Sequence, residues 1–173
     1  MTNLQNKKIL LTGGNGFLGK YVFEKLTERG VPNGNILAPR FADADLRDRE
    51  RCEEAVRDKD VVIHLAGTSG NGEFHGAHPA EIFLENILMG VELMEAARKA
   101  GVAKFVTIGS ATEYPEHAPL PLAEGNLWLG PVESLHAPYS VAKKMLLVQA
   151  QAYRKQYGFN AIHLLLTSMY GPG

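Results

Sequence analysis

Thr12-Gly13-Gly14-Asn15-Gly16-Phe17-Leu18-Gly19 decides the fold. The segment leaves the apolar run Lys8–Thr12 and enters an amphipathic stretch over Phe17–Arg29, so it reads as a strand–turn–helix unit. Gly13 permits the tight turn, Gly16 lets backbone approach a pyrophosphate, and Gly19 lets the helix lie close on the sheet. The helix start adds free N–H groups and the positive end of a dipole. Asn15, Phe17 and Leu18 fill the rest of the loop and join the glycines as candidate cofactor contacts. A glycine pattern alone is weak evidence; its place at the head of a βαβ unit gives it meaning.

Working outward, short apolar runs alternate with longer amphipathic ones. Strands are predicted at Lys8–Thr12, Asn35–Ala38, Val61–Leu65, Lys104–Ile108 and Ala161–Leu166. Helices are predicted at Phe17–Arg29, Asp48–Arg57, Glu81–Ala100 and Tyr139–Tyr157, with Gly30, Gly101 and Gly158 closing three of them. The near-continuous apolar strands Val61–Leu65 and Lys104–Ile108 suit a parallel sheet covered on both faces. The expectation is an α/β Rossmann-type doubly wound sheet occupying residues 1–173 as one domain. The ending Tyr170-Gly171-Pro172-Gly173 follows directly on a strand, which reads as a longer fold cut before its substrate region.

Bulk properties remove several classes. At 173 residues, with 45% hydrophobic and 21% charged residues, the composition is that of a folded domain. The net charge of −1 argues against a nucleic-acid or anionic-membrane partner. No apolar run approaches the ~18 residues needed to span a bilayer, and no signal-peptide pattern opens the chain. The single cysteine, Cys52, rules out an internal disulfide. A cytoplasmic location is the expectation.

An acidic residue at the end of strand two usually bonds the adenosine ribose of NAD. This chain has Ala38-Pro39-Arg40 instead. Arg40 suits a ribose 2′-phosphate and hence NADP, with NAD still possible; a solvated surface arginine is the alternative. Asp45-Leu46 is expected at the adenine edge, and Leu65-Ala66-Gly67 after strand three offers small residues against the cofactor. His64 reads as structural. Tyr139 and Lys143 stand four residues apart, one helical turn, where an ammonium would favour the phenolate and bring its pKa down. The same lysine could reach the nicotinamide ribose. Ser110, just past strand four, lies at the carboxyl edge where ligands of open α/β sheets bind.

These segments, with His64-Leu-Ala-Gly67, Gly109-Ser-Ala-Thr-Glu-Tyr-Pro115 and Tyr170-Gly-Pro-Gly173, resemble the extended short-chain dehydrogenase/reductases of the NAD-dependent epimerase/dehydratase family. Within it the likeness is greatest to the GDP-L-fucose synthases, through Pro39-Arg40, Asp45-Leu46, Asn86-Ile-Leu-Met-Gly90 and Ala137–Gln149. The resemblance covers the whole chain. It implies Ser110, Tyr139 and Lys143 as the family's catalytic triad, a nucleotide-sugar substrate, and hydride transfer at C4 of its hexose. Asn86, mid-helix, is either near the cofactor or a core asparagine bonded to backbone. Where dehydratases carry glutamate and fucose synthases cysteine to move carbon-bound protons, this chain has Thr112, too weak for that work. Glu113 is expected to point elsewhere.

His75 and His78 could suggest a metal pair, but no third ligand is evident, and no metal is expected. The long proline-rich connection Pro115–Pro138 leads into Tyr139 and is expected to shape the sugar side. Helix Glu81–Ala100 and the first half of Tyr139–Tyr157 are apolar nearly all round, which predicts a homodimer through both helices. A non-catalytic dinucleotide-binding module or redox sensor is the rival reading; it has no use for Tyr139 and Lys143 on one face.

Overall fold

The computed structural model describes residues 4–172. In chain order they form β1 (Ile9–Thr12), α1 (Phe17–Glu28), β2 (Ile36–Leu37), α2 (Arg49–Val56), β3 (Val61–His64), α3 (Gly72–Ala77), α4 (Pro79–Lys99), β4 (Lys104–Ser110), α5 (Ala137–Tyr157) and β5 (Ala161–Leu166). The five strands are parallel and ordered β2-β1-β3-β4-β5. Because β2 lies on one side of β1 and β3 on the other, the chain leaves β1 and β3 in opposite directions. That switch opens a crevice at their carboxyl ends, where ligands of such sheets sit.

Alternation along β1 divides the core. Ile9 and Leu11 pack with Ile36, Val61 and Leu26 beneath α1; Leu10 packs with Val62 and Phe105 beneath α2, α4 and α5. At Gly90 the helices α4 and α5 approach so closely that a Cβ would lie 2.5 Å from Leu146. Much of the apolar surface expected to await a second copy is therefore spent between α4 and α5. On the α1 side of the sheet's far edge, Ile162 and Leu164 stand 37% and 43% exposed.

Most element ends shift by a residue or two from expectation, and three differences have clear causes. β2 shrinks to two residues, because Pro39 has no N–H to continue an edge ladder. β4 runs on to Ser110, since β5 supplies partners as far as Leu166. The short α3 lay within a stretch with no predicted element; Asn71 starts it by accepting the Phe74 N–H. No helix among the described residues is long and apolar enough to cross a membrane.

Candidate functional site

The loop after β1 and the loop after β3 meet at the crevice. Gly13 has φ +70, and a Cβ there would lie 2.7 Å from the Ala66 nitrogen. Only glycine satisfies both the left-handed backbone and the contact. Gly19 lies against the backbone of Gly13 and Gly14, so α1 begins directly on the loop. Gly16 is the N-cap of α1, and no side chain caps it. Uncapped N–H groups at the positive end of a helix fit a pyrophosphate.

On the adenosine side, Arg40 is 74% exposed in its side chain and paired with Asp43 at 3.0 Å. A 2′-phosphate would have to displace that carboxylate. A groove of about 300 Å³ opens at the end of β2, lined by Gly14, Asn15, Lys20, Phe23, Glu24 and Ala38. Lys20 is a second cation there that sequence reasoning passed over; only folding brings α1 beside the end of β2. Asp45 is held by Arg47 at 2.7 Å, and Arg47 also reaches Glu85 at 2.6 Å. Leu46 buries its side chain in the core, so it would meet an adenine through backbone alone.

At the β3 end, Leu65 packs against the α1-side core, and the Ala66 N–H donates to Thr12 Oγ1 at 3.3 Å. Asn86 donates to the Thr68 and Ile82 carbonyls, both at 2.7 Å, and accepts the Thr68 N–H at 3.1 Å. Asn86 is thus bonded to backbone in the core, and it shapes the loop that would face a cofactor. A Cβ on Gly67 would meet Asn86 Oδ1 at 2.9 Å and Lys143 Nζ at 3.1 Å. The lysine amine thus reaches the crevice mouth, donating to the Ala66 carbonyl at 3.4 Å.

Ser110 begins a three-residue 3₁₀ turn at the β4 end. Its hydroxyl accepts from the Thr112 N–H at 3.2 Å and the Thr112 hydroxyl at 3.0 Å. Ser140, the neighbour of Tyr139, donates to Thr112 Oγ1 at 2.9 Å. A chain of three hydroxyls therefore ties the Ser110 turn to the first turn of α5. Lys143 Nζ lies 5.7 Å from the Tyr139 ring centroid. Burial raises the Tyr139 phenol above its ordinary value, and the Glu113 charge adds to that. Lys143 falls to about 8 because it is buried, with Glu113 pulling it the other way. The expected lowering of Tyr139 by Lys143 is absent: desolvation of a phenolate outweighs a cation this far from the ring.

Residues 9–173 match the NAD dependent epimerase/dehydratase family. The chain belongs to that family. It is 29% identical over 171 residues to a GDP-L-fucose synthase of Sinorhizobium fredii, spanning 98% of this chain and 54% of that protein. It is 32% identical over 168 residues to a probable GDP-L-fucose synthase of Oryza sativa subsp. japonica, spanning 95% and 51%. Among solved structures it is similar to MlghC, a GDP-mannoheptose C4 reductase from Campylobacter jejuni with NADP bound. That match has a TM-score of 0.90 and 27% identity, over 98% of this chain and 53% of that one. The chain spans about half the length of the curated relatives it matches.

The remaining polar groups of this epimerase/dehydratase-family chain sort by burial. His64 is buried against Thr12 Oγ1 at 2.8 Å and pushed down to about 3, the structural role expected. His75 is buried too, with its ring 5.9 Å from that of Tyr139 and 4.8 Å from that of His136. His78 turns away toward Glu81 and Phe74. No cluster of three or more metal-ligating side chains occurs among the described residues. The loop before α5 is pinned to it: Lys144 donates to the Leu127 carbonyl at 2.7 Å, with its amine 4.5 Å from the centroid of the Trp128 ring. Cys52 is buried in α2 and raised to about 12 by that burial.

Proposed function

We propose that this chain is the cofactor-holding half of an NADP-dependent nucleotide-sugar epimerase/reductase that acts by hydride transfer at C4 of a nucleotide-linked hexose. One observation carries the reading. Tyr139 and Lys143 share a turn of α5, tied by hydroxyls to Ser110 on one side and reaching the Ala66–Gly67 backbone on the other. The relatives' names support the substrate class, and the NADP in MlghC supports the cofactor.

The Gly13–Gly19 loop and the α1 N-terminus would hold the pyrophosphate, and Lys143 would hold the nicotinamide ribose. When bound, the cofactor supplies the hydride. Ser110 orients the reacting oxygen by a hydrogen bond from its hydroxyl. Tyr139, kept a neutral phenol by burial, gives its proton to that oxygen as the carbonyl becomes an alcohol, so the resting site is set for reduction. Thr112 cannot remove a proton from carbon. Proton exchange at carbons beside the ketone is therefore not expected. Assembly as a homodimer through the remaining faces of α4 and α5 completes the reading.

Tyr139→Phe in the full-length protein tests it. The ring keeps its packing while the acid proton is removed, so NADP affinity stays and turnover falls by about 10²-fold or more. Turnover close to wild type would overturn the assignment.

A further inference from the structure

Glu113 and His163 have no part in that reaction, yet both side chains are fully buried on the α5 face of the sheet. One Glu113 oxygen accepts the Ser110 N–H at 2.8 Å; the other lies 3.1 Å from His163 Nε2. The Ser110 hydroxyl and the Glu113 carboxylate thus close a reciprocal capping box over the 3₁₀ turn. Such a turn has little stability of its own. Gly109 makes room for the pair, since a Cβ there would run into both Glu113 and His163.

A hydrophobic side chain would fill this space without the cost of burying a carboxylate, so the charge itself needs a reason. His163 from β5 lies at hydrogen-bond distance from Glu113, and the first turn of α5, bonded to the neighbouring Thr112 through Ser140, brings Tyr139, Lys143 and Lys144 within reach of its charge. We propose that Glu113, clamped by His163, is the positioning residue of this site, a buried carboxylate that holds the Ser110 turn under α5 and counter-charges Lys143. The inference rests on the catalytic reading above. It adds that the protonation of Tyr139 and Lys143 is set from beneath the site. A negative charge there disfavours the phenolate and favours the ammonium.

Glu113→Gln isolates the charge, because the amide can still accept from the Ser110 N–H and can donate to His163. Tyrosinate absorbance in the substrate-free chain, taken as a difference against the matching Tyr139→Phe variant, reads Tyr139 alone. The expected result is a Tyr139 midpoint lower by about one pH unit in Glu113→Gln. In the full-length enzyme, the alkaline limb of kcat moves the same way while KM holds. An unmoved Tyr139 midpoint in a folded Glu113→Gln protein overturns the proposal. If that variant does not fold, His163→Gln serves: the Ser110 amide resonance should shift as the clamp is lost, and an unchanged resonance overturns the proposal. Failure of the catalytic reading looks different. Tyr139→Phe would then keep turnover while Glu113→Gln still moved the Tyr139 midpoint.

Discussion

Lys143→Met should make the protein more stable at neutral pH. Lys143 is 2% exposed, and its one direct hydrogen bond among the described residues is the long one to the Ala66 carbonyl. An amine whose ordinary value is 10.5 and which sits at about 8 is disfavoured as a buried cation by roughly 3 kcal/mol. Methionine keeps the stem and removes the charge. That figure already contains the attraction of Glu113, so the net gain is roughly 3 kcal/mol, or about 6–12 °C in Tm for a domain of this size. The sign with pH follows from linkage. Below about 8 the lysine is charged both folded and unfolded, and the folded state bears the full cost. Between about 8 and 10.5 the unfolded chain holds the proton more tightly, so wild-type stability rises with pH. Thermal melts of both proteins at several pH values should therefore show a gap that is widest at neutrality and narrows above about 8. A variant that melts lower than wild type at neutral pH, or a gap indifferent to pH, would refute the reasoning.

His64 predicts acid lability. Held neutral down to about 3 in the fold but titrating near 6.5 when unfolded, it draws stability away as pH falls between those values; His64→Asn should flatten that part of the stability profile in acid melts. Calorimetric titration with NADP and NAD should show Lys20→Ala weakening NADP several-fold with little effect on NAD. Arg40→Ala should do less, because Asp43 already occupies that arginine; equal losses for both cofactors would remove the 2′-phosphate from this groove. Leu84 on α4 and Val148 on α5 are 54% and 41% exposed. Leu84→Arg should therefore convert the proposed dimer to a monomer in sedimentation, and an unchanged mass would place any interface elsewhere.

The doubly wound sheet and the phosphate loop were legible in the chain because both are local. A strand, a glycine turn and a helix start lie within a dozen residues, and Tyr139 and Lys143 are neighbours by helical geometry alone. What only the tertiary structure decided lies between distant segments. Leu46 turns inward, and Asn86 bonds the loop after β3. Lys20 joins a groove with Ala38 that no spacing rule announces. The charge state of the site belongs to the same class: a tyrosine and a lysine one turn apart suggest a lowered phenol, and burial beside Glu113 raises it. Glu113 and His163 are fifty residues apart in the chain and become a pair only because β4 and β5 lie in register. Desolvation and long-range pairing depend on which surfaces lose water together, and that is a property of the folded whole.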